Sequence, residues 1–155
     1  MKGGEYMIKY LYHQKNSDSL VIVSAHKPQQ VILKRSTTKE LFKRMCLEHG
    51  CSLEGRLDYY RKKYKARQHI PIIISSNKKS VMVPVSAGNY IYNFNYKYFK
   101  KTVDVDNHFC YIYFTDGSYI ILAVSKRNVD NQIRRAKRAL SDITIAEAEN
   151  ELSFL

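Results

Sequence analysis

The chain has 155 residues, enough for one domain or two small ones with a sizeable core and too few for a large multidomain enzyme. Its 26 Lys and Arg against 14 Asp and Glu leave a net charge of +12, while 45% hydrophobic and 26% charged residues exclude a disordered composition. That surplus points first to nucleic acid and second to an acidic membrane surface as partner, and the three cysteines are too few for a disulfide scaffold.

From the N-terminus, Met1 to Glu5 lacks a signal-peptide hydrophobic region and no stretch approaches the roughly 20 apolar residues that span a bilayer, so a cytosolic protein with no membrane partner is expected. Tyr6 to Tyr12 and Ser19 to Val23 are rich in β-branched and aromatic residues and flank the turn-like Asn16-Ser17-Asp18, which predicts a hairpin. A third short run, Gln30 to Lys34, follows Pro28. Thr37 then stands three residues before Glu40, a capping-box spacing, and Leu41, Phe42, Met45 and Cys46 continue at helical intervals. With Gly50 as terminator, a helix over 39–49 is predicted.

Leu57 to Gln68 is open between helix and loop. Ile72 to Ile74, Ser80 to Val83 and Tyr90 to Asn95 suggest an antiparallel meander, and Phe109 to Phe114 with Ser118 to Val124 flank Thr115-Asp116-Gly117. An Asp-Gly pair between such runs predicts a hairpin, because both residues tolerate positive φ. Asn128 is the expected cap of a final helix with Val129, Ile133, Ala136, Leu140 and Ile143 on one face and Arg134, Arg135, Lys137 and Arg138 on the other. The predicted class is α+β, mainly antiparallel sheet, with a helix before the basic centre and a basic amphipathic helix near the C-terminus. A single domain over 1–155 is expected: strands and helix over 1–45, a core over 46–140 and an acidic helix or tail over 141–155.

The charge is unevenly placed. Between Arg56 and Lys101 stand eleven basic residues against the single acid Asp58, and Lys126 to Arg138 adds six against Asp130. Ser141 to Leu155 carries Asp142, Glu147, Glu149 and Glu151 with no basic residue, which reads as a solubilising segment or as a mimic of the anionic ligand. In the run Tyr59 to Arg67, tyrosines alternate with cations, a combination that neutralises phosphate and can pack rings on sugars or bases; the competing reading is a solvated cationic face with tyrosines turned inward. Cys46, His49 and Cys51, with His108 and Cys110 on one strand face, are candidate zinc ligands without the usual Cys-x2-Cys spacing. Glu48, Glu54 and Asp58 are candidate magnesium ligands of a nuclease, yet no Walker loop, nucleophile elbow or His-Glu metal motif accompanies them, so no catalysis and no cofactor are expected.

The segment Cys46-Leu-Glu-His-Gly50-Cys-Ser52-Leu-Glu-Gly55-Arg56 resembles the Cys-x3-Gly-x-Ser-x2-Gly-Arg pattern of the competence transcription factor (ComK) family. Pro71, then Val83-Pro84-Val85-Ser86, the Phe114 to Gly117 turn, Val124-Ser125 and Asn131-Gln132-Ile133 follow in the family's order, so the resemblance covers roughly Cys46 to Leu140. Leu53 stands where the family has an aromatic, and the family's cysteine and tryptophan segment has no counterpart at 90–98. The resemblance implies a bacterial activator of DNA-uptake genes that binds double-stranded A/T-rich promoter boxes, largely in the minor groove, as a homo-oligomer, with a proteolytic adaptor as a further partner. In that reading Gly50 and Gly55 permit tight turns, and Arg56, after its glycine turn, is the first DNA contact. Arg61, Lys62, Lys63, Lys65, Arg67, Lys126 and Arg127 supply further cations, Asn131 and Gln132 hydrogen-bond DNA, and Arg134, Arg135 and Arg138 contact phosphates. The alternatives are an RNA-binding module stacking bases on Tyr59, Tyr60 or Tyr64, and a metal-dependent nuclease or zinc protein.

Overall fold

The computed structural model describes residues 7–25, 30–33 and 35–153, and for 151–153 the backbone alone. Tyr6, Pro28 and Lys34, and the Glu151 side chain, lie outside the described residues. The class is α+β, as expected.

Strands β1 (Ile8–Gln14), β2 (Leu20–Ser24) and β3 (Gln30–Leu33) form an antiparallel run, with Asn16 at a positive φ of 67° in the first turn. Helix α1 (Thr38–Glu48) follows; the Glu40 N–H donates to Thr37 Oγ1 at 3.1 Å, and Leu41, Phe42, Met45 and Cys46 are buried along its stripe. The stretch left open by the sequence is helical as well. In α2 (Leu53–Tyr64) the Gly55 N–H donates to the Ser52 hydroxyl at 3.0 Å, making Ser52 the cap. Gly55 therefore sits in the first helical turn rather than in a loop, and a Cβ there would meet Ser52 Oγ at 2.8 Å. Its bareness lets the capping hydroxyl close in.

β4 (Ile72–Ser75), β5 (Ser80–Ala87) and β6 (Tyr90–Asn95) form the expected meander. Because β1 pairs with β6, the two runs join in a six-stranded sheet of order β3-β2-β1-β6-β5-β4. A 3-10 turn over Tyr96–Tyr98 leads to β7 (Phe99–Asp104), a strand the sequence pattern hides because Lys100-Lys101 interrupts its alternation. With β8 (Cys110–Phe114) and β9 (Tyr119–Leu122) it forms a second sheet, β7-β8-β9. In the β8–β9 turn only Gly117 takes a positive φ, 86°; Asp116 instead accepts from the Ser118 N–H at 2.9 Å. The hairpin is a three-residue loop with glycine at the left-handed position rather than a two-residue turn with both residues there.

Helix α3 (Lys126–Ser153) continues through the acidic segment as one 28-residue helix. Its start differs from expectation: the Asn128 N–H donates to Ser125 Oγ at 3.2 Å, so Ser125 caps the helix and Asn128 lies inside it. Val124, buried in the second core, fixes Ser125 at that position.

Two apolar clusters hold these layers together. The first joins the large sheet, through residues such as Leu11, Ile74 and Val81, to α1, to Leu53 and Tyr60 of α2 and to Ala136, Leu140 and Ile143 of α3. The second joins Tyr10, Val85 and Phe94 of the large sheet to Cys110, Ile112, Phe114 and Leu122 of the small one, with Val129 of α3. Ile133 packs against both. Between the sheets, the nearly buried Lys9 donates to Asp116 Oδ2 at 3.1 Å and Ser118 Oγ at 2.8 Å, with its ammonium 5.2 Å above Phe114. Burial works against the Asp116 carboxylate, but the bonds from Ser118 and Lys9 outweigh it and hold the carboxyl below its ordinary range. No helix among the described residues is long and apolar enough to cross a membrane.

Ser125→Ala is expected to lower stability by about 1 kcal/mol, whereas Asn128→Ala stays within about 0.5 kcal/mol. Urea midpoints at unchanged slope measure both; the reverse ranking would restore Asn128 as the cap.

Candidate nucleic-acid interface

The basic run at 61–67 divides by direction. Arg61, Lys62, Lys65 and Arg67 line an open cleft of about 610 Å3 whose walls hold no acid. Backbone geometry assembles it: Arg61 and Lys62 lie in the last turn of α2, and Lys65 adopts the left-handed conformation at φ 54°, turning the chain so that Arg67 joins them. Arg61 has only a loose contact with Asp58, at 3.8 Å between two exposed groups. Lys63 departs from this set, lying 3.8 Å from Asp142 of α3 and 5.7 Å above the Tyr59 ring.

The interleaved tyrosines turn inward. Tyr60 is buried, its ring centroid 4.6 Å from that of Tyr64, and the guanidinium groups of Arg135 and Arg138 lie 5.4 Å and 5.1 Å over the two rings. Tyr64 donates to Asp142 Oδ2 at 2.6 Å; burial first, and that bond second, push its hydroxyl well above the ordinary tyrosine value. The Tyr59 hydroxyl is shielded from solvent and has no hydrogen-bond partner. The Tyr60 and Tyr64 rings belong to the seam between α2 and α3 rather than to a stacking surface.

On α3 the expected contacts also sort into two kinds. Gln132 Nε2 donates to the Pro84 carbonyl at 2.7 Å and the His69 carbonyl at 2.9 Å. Arg135 donates to Tyr60 Oη at 2.9 Å, to the Gln68 carbonyl at 3.2 Å and to Gln132 Oε1. Both N–H groups of the Gln132 amide and three of the five of the Arg135 guanidinium are thus engaged within the chain. The Val83-Pro84-Val85-Ser86 and Asn131-Gln132 segments meet here, lining with Arg135 a cleft of about 340 Å3. Arg127, Asn131 and Arg134 are exposed, Arg134 donating to Asn131 Oδ1 at 2.8 Å. Lys126 pairs with Asp130, and the neighbouring cleft of about 360 Å3 mixes Asp104, Asp106 and Asp130 with Lys126, Arg127 and Arg134. Arg138 is exposed, with Nε 3.9 Å from Asp142. The first turns of α3 are therefore electrostatically mixed, while the end of α2 is uniformly cationic.

Among the described residues, neither Asp142 nor Glu147 of α3 lines that cationic cleft. Asp142 faces Tyr64, Lys63 and Arg138, and Glu147 accepts from the Ser76 hydroxyl at 2.7 Å.

Arg56 does not follow a glycine turn in a loop. It is half-buried in the first turn of α2, and its Nε is shielded from solvent without a hydrogen-bond partner. Neither Glu54 nor Asp58 pairs with it; its charge partly opposes the rise of the Cys46 thiol, which burial and Cys51 push up to about 12. Cys51 donates to the Cys46 carbonyl at 3.3 Å. Cys110 is buried in the other core, while His108 precedes β8 on an exposed loop, so the two do not share a strand face. Among the described residues no three His, Cys, Asp or Glu side chains are grouped to hold a metal ion.

Sequence reasoning missed Tyr111, Tyr113 and Tyr119 as a surface. Their signal was the period-two alternation of 110–114, which sends Tyr111 and Tyr113 away from buried Cys110, Ile112 and Phe114.

The family model described as ComK protein matches residues 6–146, nearly the whole chain. The chain belongs to the ComK family, a family of competence transcription factors. No curated protein and no solved structure was found to match it.

Gln132→Ala strands the Pro84 carbonyl at the α3 seam and is expected to cost about 1–3 kcal/mol, against under about 0.5 kcal/mol for the exposed Arg134→Ala. Chemical denaturation distinguishes them; equal small effects would mean that the Gln132 bonds do not hold the helix.

Proposed function

We propose that this member of the ComK family is a transcription activator that binds double-stranded A/T-rich promoter boxes through the minor groove, with the cationic end of α2 as its leading edge. The observation that carries this reading is the cleft of Arg61, Lys62, Lys65 and Arg67, which has no acid in its lining. A narrow A/T minor groove concentrates negative potential, and guanidinium groups enter it at lower desolvation cost than ammonium groups do. Arg61 and Arg67 are the candidates for entry; Lys62 and Lys65 contact the flanking phosphates.

Arg127, Arg134 and Arg138 extend the path along α3 as phosphate contacts, and Asn131 stands beside them at the exposed surface. Gln132 and Arg135 act in this reading as positioning residues, since they hold α3 against α2 and β5. Lys63, Lys126 and Arg56 contribute charge at a distance. Binding as a homo-oligomer to two spaced A/T tracts, in the bacterial cytoplasm and under the control of a proteolytic adaptor, completes the proposal; membership of the family supports it.

Fluorescence anisotropy over a salt series tests the reading on a duplex with two spaced A/T tracts, a G/C-rich duplex and single-stranded RNA. The A/T duplex is expected to remain preferred as salt rises. Arg61→Ala and Arg67→Ala should each lower the salt slope by about one. Arg61→Lys should keep the slope and lose part of the A/T preference. Equal, steeply salt-dependent binding to all three ligands would contradict minor-groove selectivity.

A further inference from the structure

We infer that the outer face of the small sheet is a stacking platform for the unpaired bases of a single-stranded nucleic acid, a ligand beyond the duplex reading above. Strand register sets six side chains there in two rows. Val103, Tyr111 and Ile121 are cross-strand neighbours in one row, and Lys101, Tyr113 and Tyr119 in the next. The opposite face carries Cys110, Ile112, Phe114 and Leu122 into the second core, so these outer residues do not serve the fold's interior. Tyr119 and Ile121 are each 55% exposed and Val103 36%, a contiguous apolar patch rather than scattered single residues.

The rings are organised. Tyr119 lies 5.5 Å from Tyr111 and 5.4 Å from Tyr113, centroid to centroid, and Tyr111 and Tyr113 are 6.1 Å apart. Lys101 Nζ sits 5.4 Å from the Tyr113 centroid. Side chains two residues apart on a strand are roughly 7 Å apart, which places one base over each row.

Charge selects the occupant. None of the six outward residues is acidic, because alternation turns Thr102 and Asp104 of β7 to the other side, where Thr102 donates to Asp130 of α3. The acid of the β8–β9 turn, Asp116, is held by Lys9. The exposed Lys100 and Lys101 on β7 give one margin of the patch a cationic edge along which phosphates can run while bases lie on the tyrosines. Area argues against a second copy as the occupant: a three-stranded face about five residues long offers roughly 17 Å by 14 Å, a few hundred Å2, against the roughly 800 Å2 per partner of a standard protein interface.

The test is anisotropy of labelled 12-nucleotide oligo(dT) and oligo(U) at salt high enough to suppress backbone attraction, with an A/T duplex in parallel. Tyr119→Ala, at an exposed position that leaves the core intact, is expected to weaken single-strand binding by about 5- to 100-fold, and Tyr119→Phe to bind like the parent. Duplex affinity and sedimentation mass should not change, so failure here is separable from failure of the duplex reading. Loss with oligo(dT), oligo(U) or both supports the platform and identifies the sugar it accepts. Two results would overturn it: Tyr119→Ala binding both strands as the parent does, or Tyr119→Ala shifting the sedimentation mass, which would make this face a contact between copies.

Discussion

The arrangement of the basic side of the molecule depends on how α3 is pinned. Its apolar stripe supplies the adhesion, with Ala136 and Ala139 fully buried and Ile133 reaching both cores. Hydrophobic burial is not directional, however, and a smooth stripe alone would let the helix slide or rotate. Gln132 and Arg135 remove that freedom. Together they satisfy the carbonyls of Pro84, His69 and Gln68 and the Tyr60 hydroxyl, fixing α3 against β5, α2 and the loop between α2 and β4 at once. A half-buried guanidinium is tolerated because several acceptors and a ring face replace its water.

That seam explains how one surplus of charge serves two purposes. The cations of α3 nearest the sheets are spent inside the chain or opposed by Asp104, Asp106 and Asp130. Arg61, Lys62, Lys65 and Arg67 at the end of α2 face solvent, opposed only by the loose contact of Asp58 with Arg61. Arg61 and Lys62 also sit at the negative pole of the α2 dipole, so they stabilise the helix whether or not a ligand is bound. Asp142, far along α3, completes the division by drawing in Lys63, Arg138 and the Tyr64 hydroxyl, which keeps the tyrosines of the basic run in the seam. An aromatic surface that remains open lies elsewhere, on the small sheet.

Much of the fold was legible because turn chemistry is local. Thr37 with Glu40 marked α1, and the Asp116-Gly117 pair marked the β8–β9 hairpin, although only the glycine takes the left-handed conformation. Elements with weak patterns were not legible. α2 buries only Leu53 and Tyr60 deeply, and β7 is interrupted by two lysines, so neither announces its period. For the candidate site, residue types could be read but directions could not. Nothing near Tyr60 or Gln132 in sequence reveals that Arg135 and Pro84, 75 and 48 positions away, turn them inward. Arg56 shows the same limit: its place after Gly55 suggested a glycine turn, and the Ser52 cap converts that place into the first turn of a helix in which its Nε is shielded. The ordered motifs of the middle and C-terminal chain carried the family, because they follow the whole architecture rather than one contact.

The most direct measurement of the central claim, that the end of α2 faces DNA while the α2–α3 seam serves the fold, is lysine-acetylation footprinting of the intact protein with and without an A/T-rich duplex. Lys62 and Lys65 should be protected by the duplex, with Lys63 changing less and Lys9 unreactive in both states. Protection confined to Lys78, Lys79 and Lys97, or none at Lys62 and Lys65 under saturating duplex, would contradict the account.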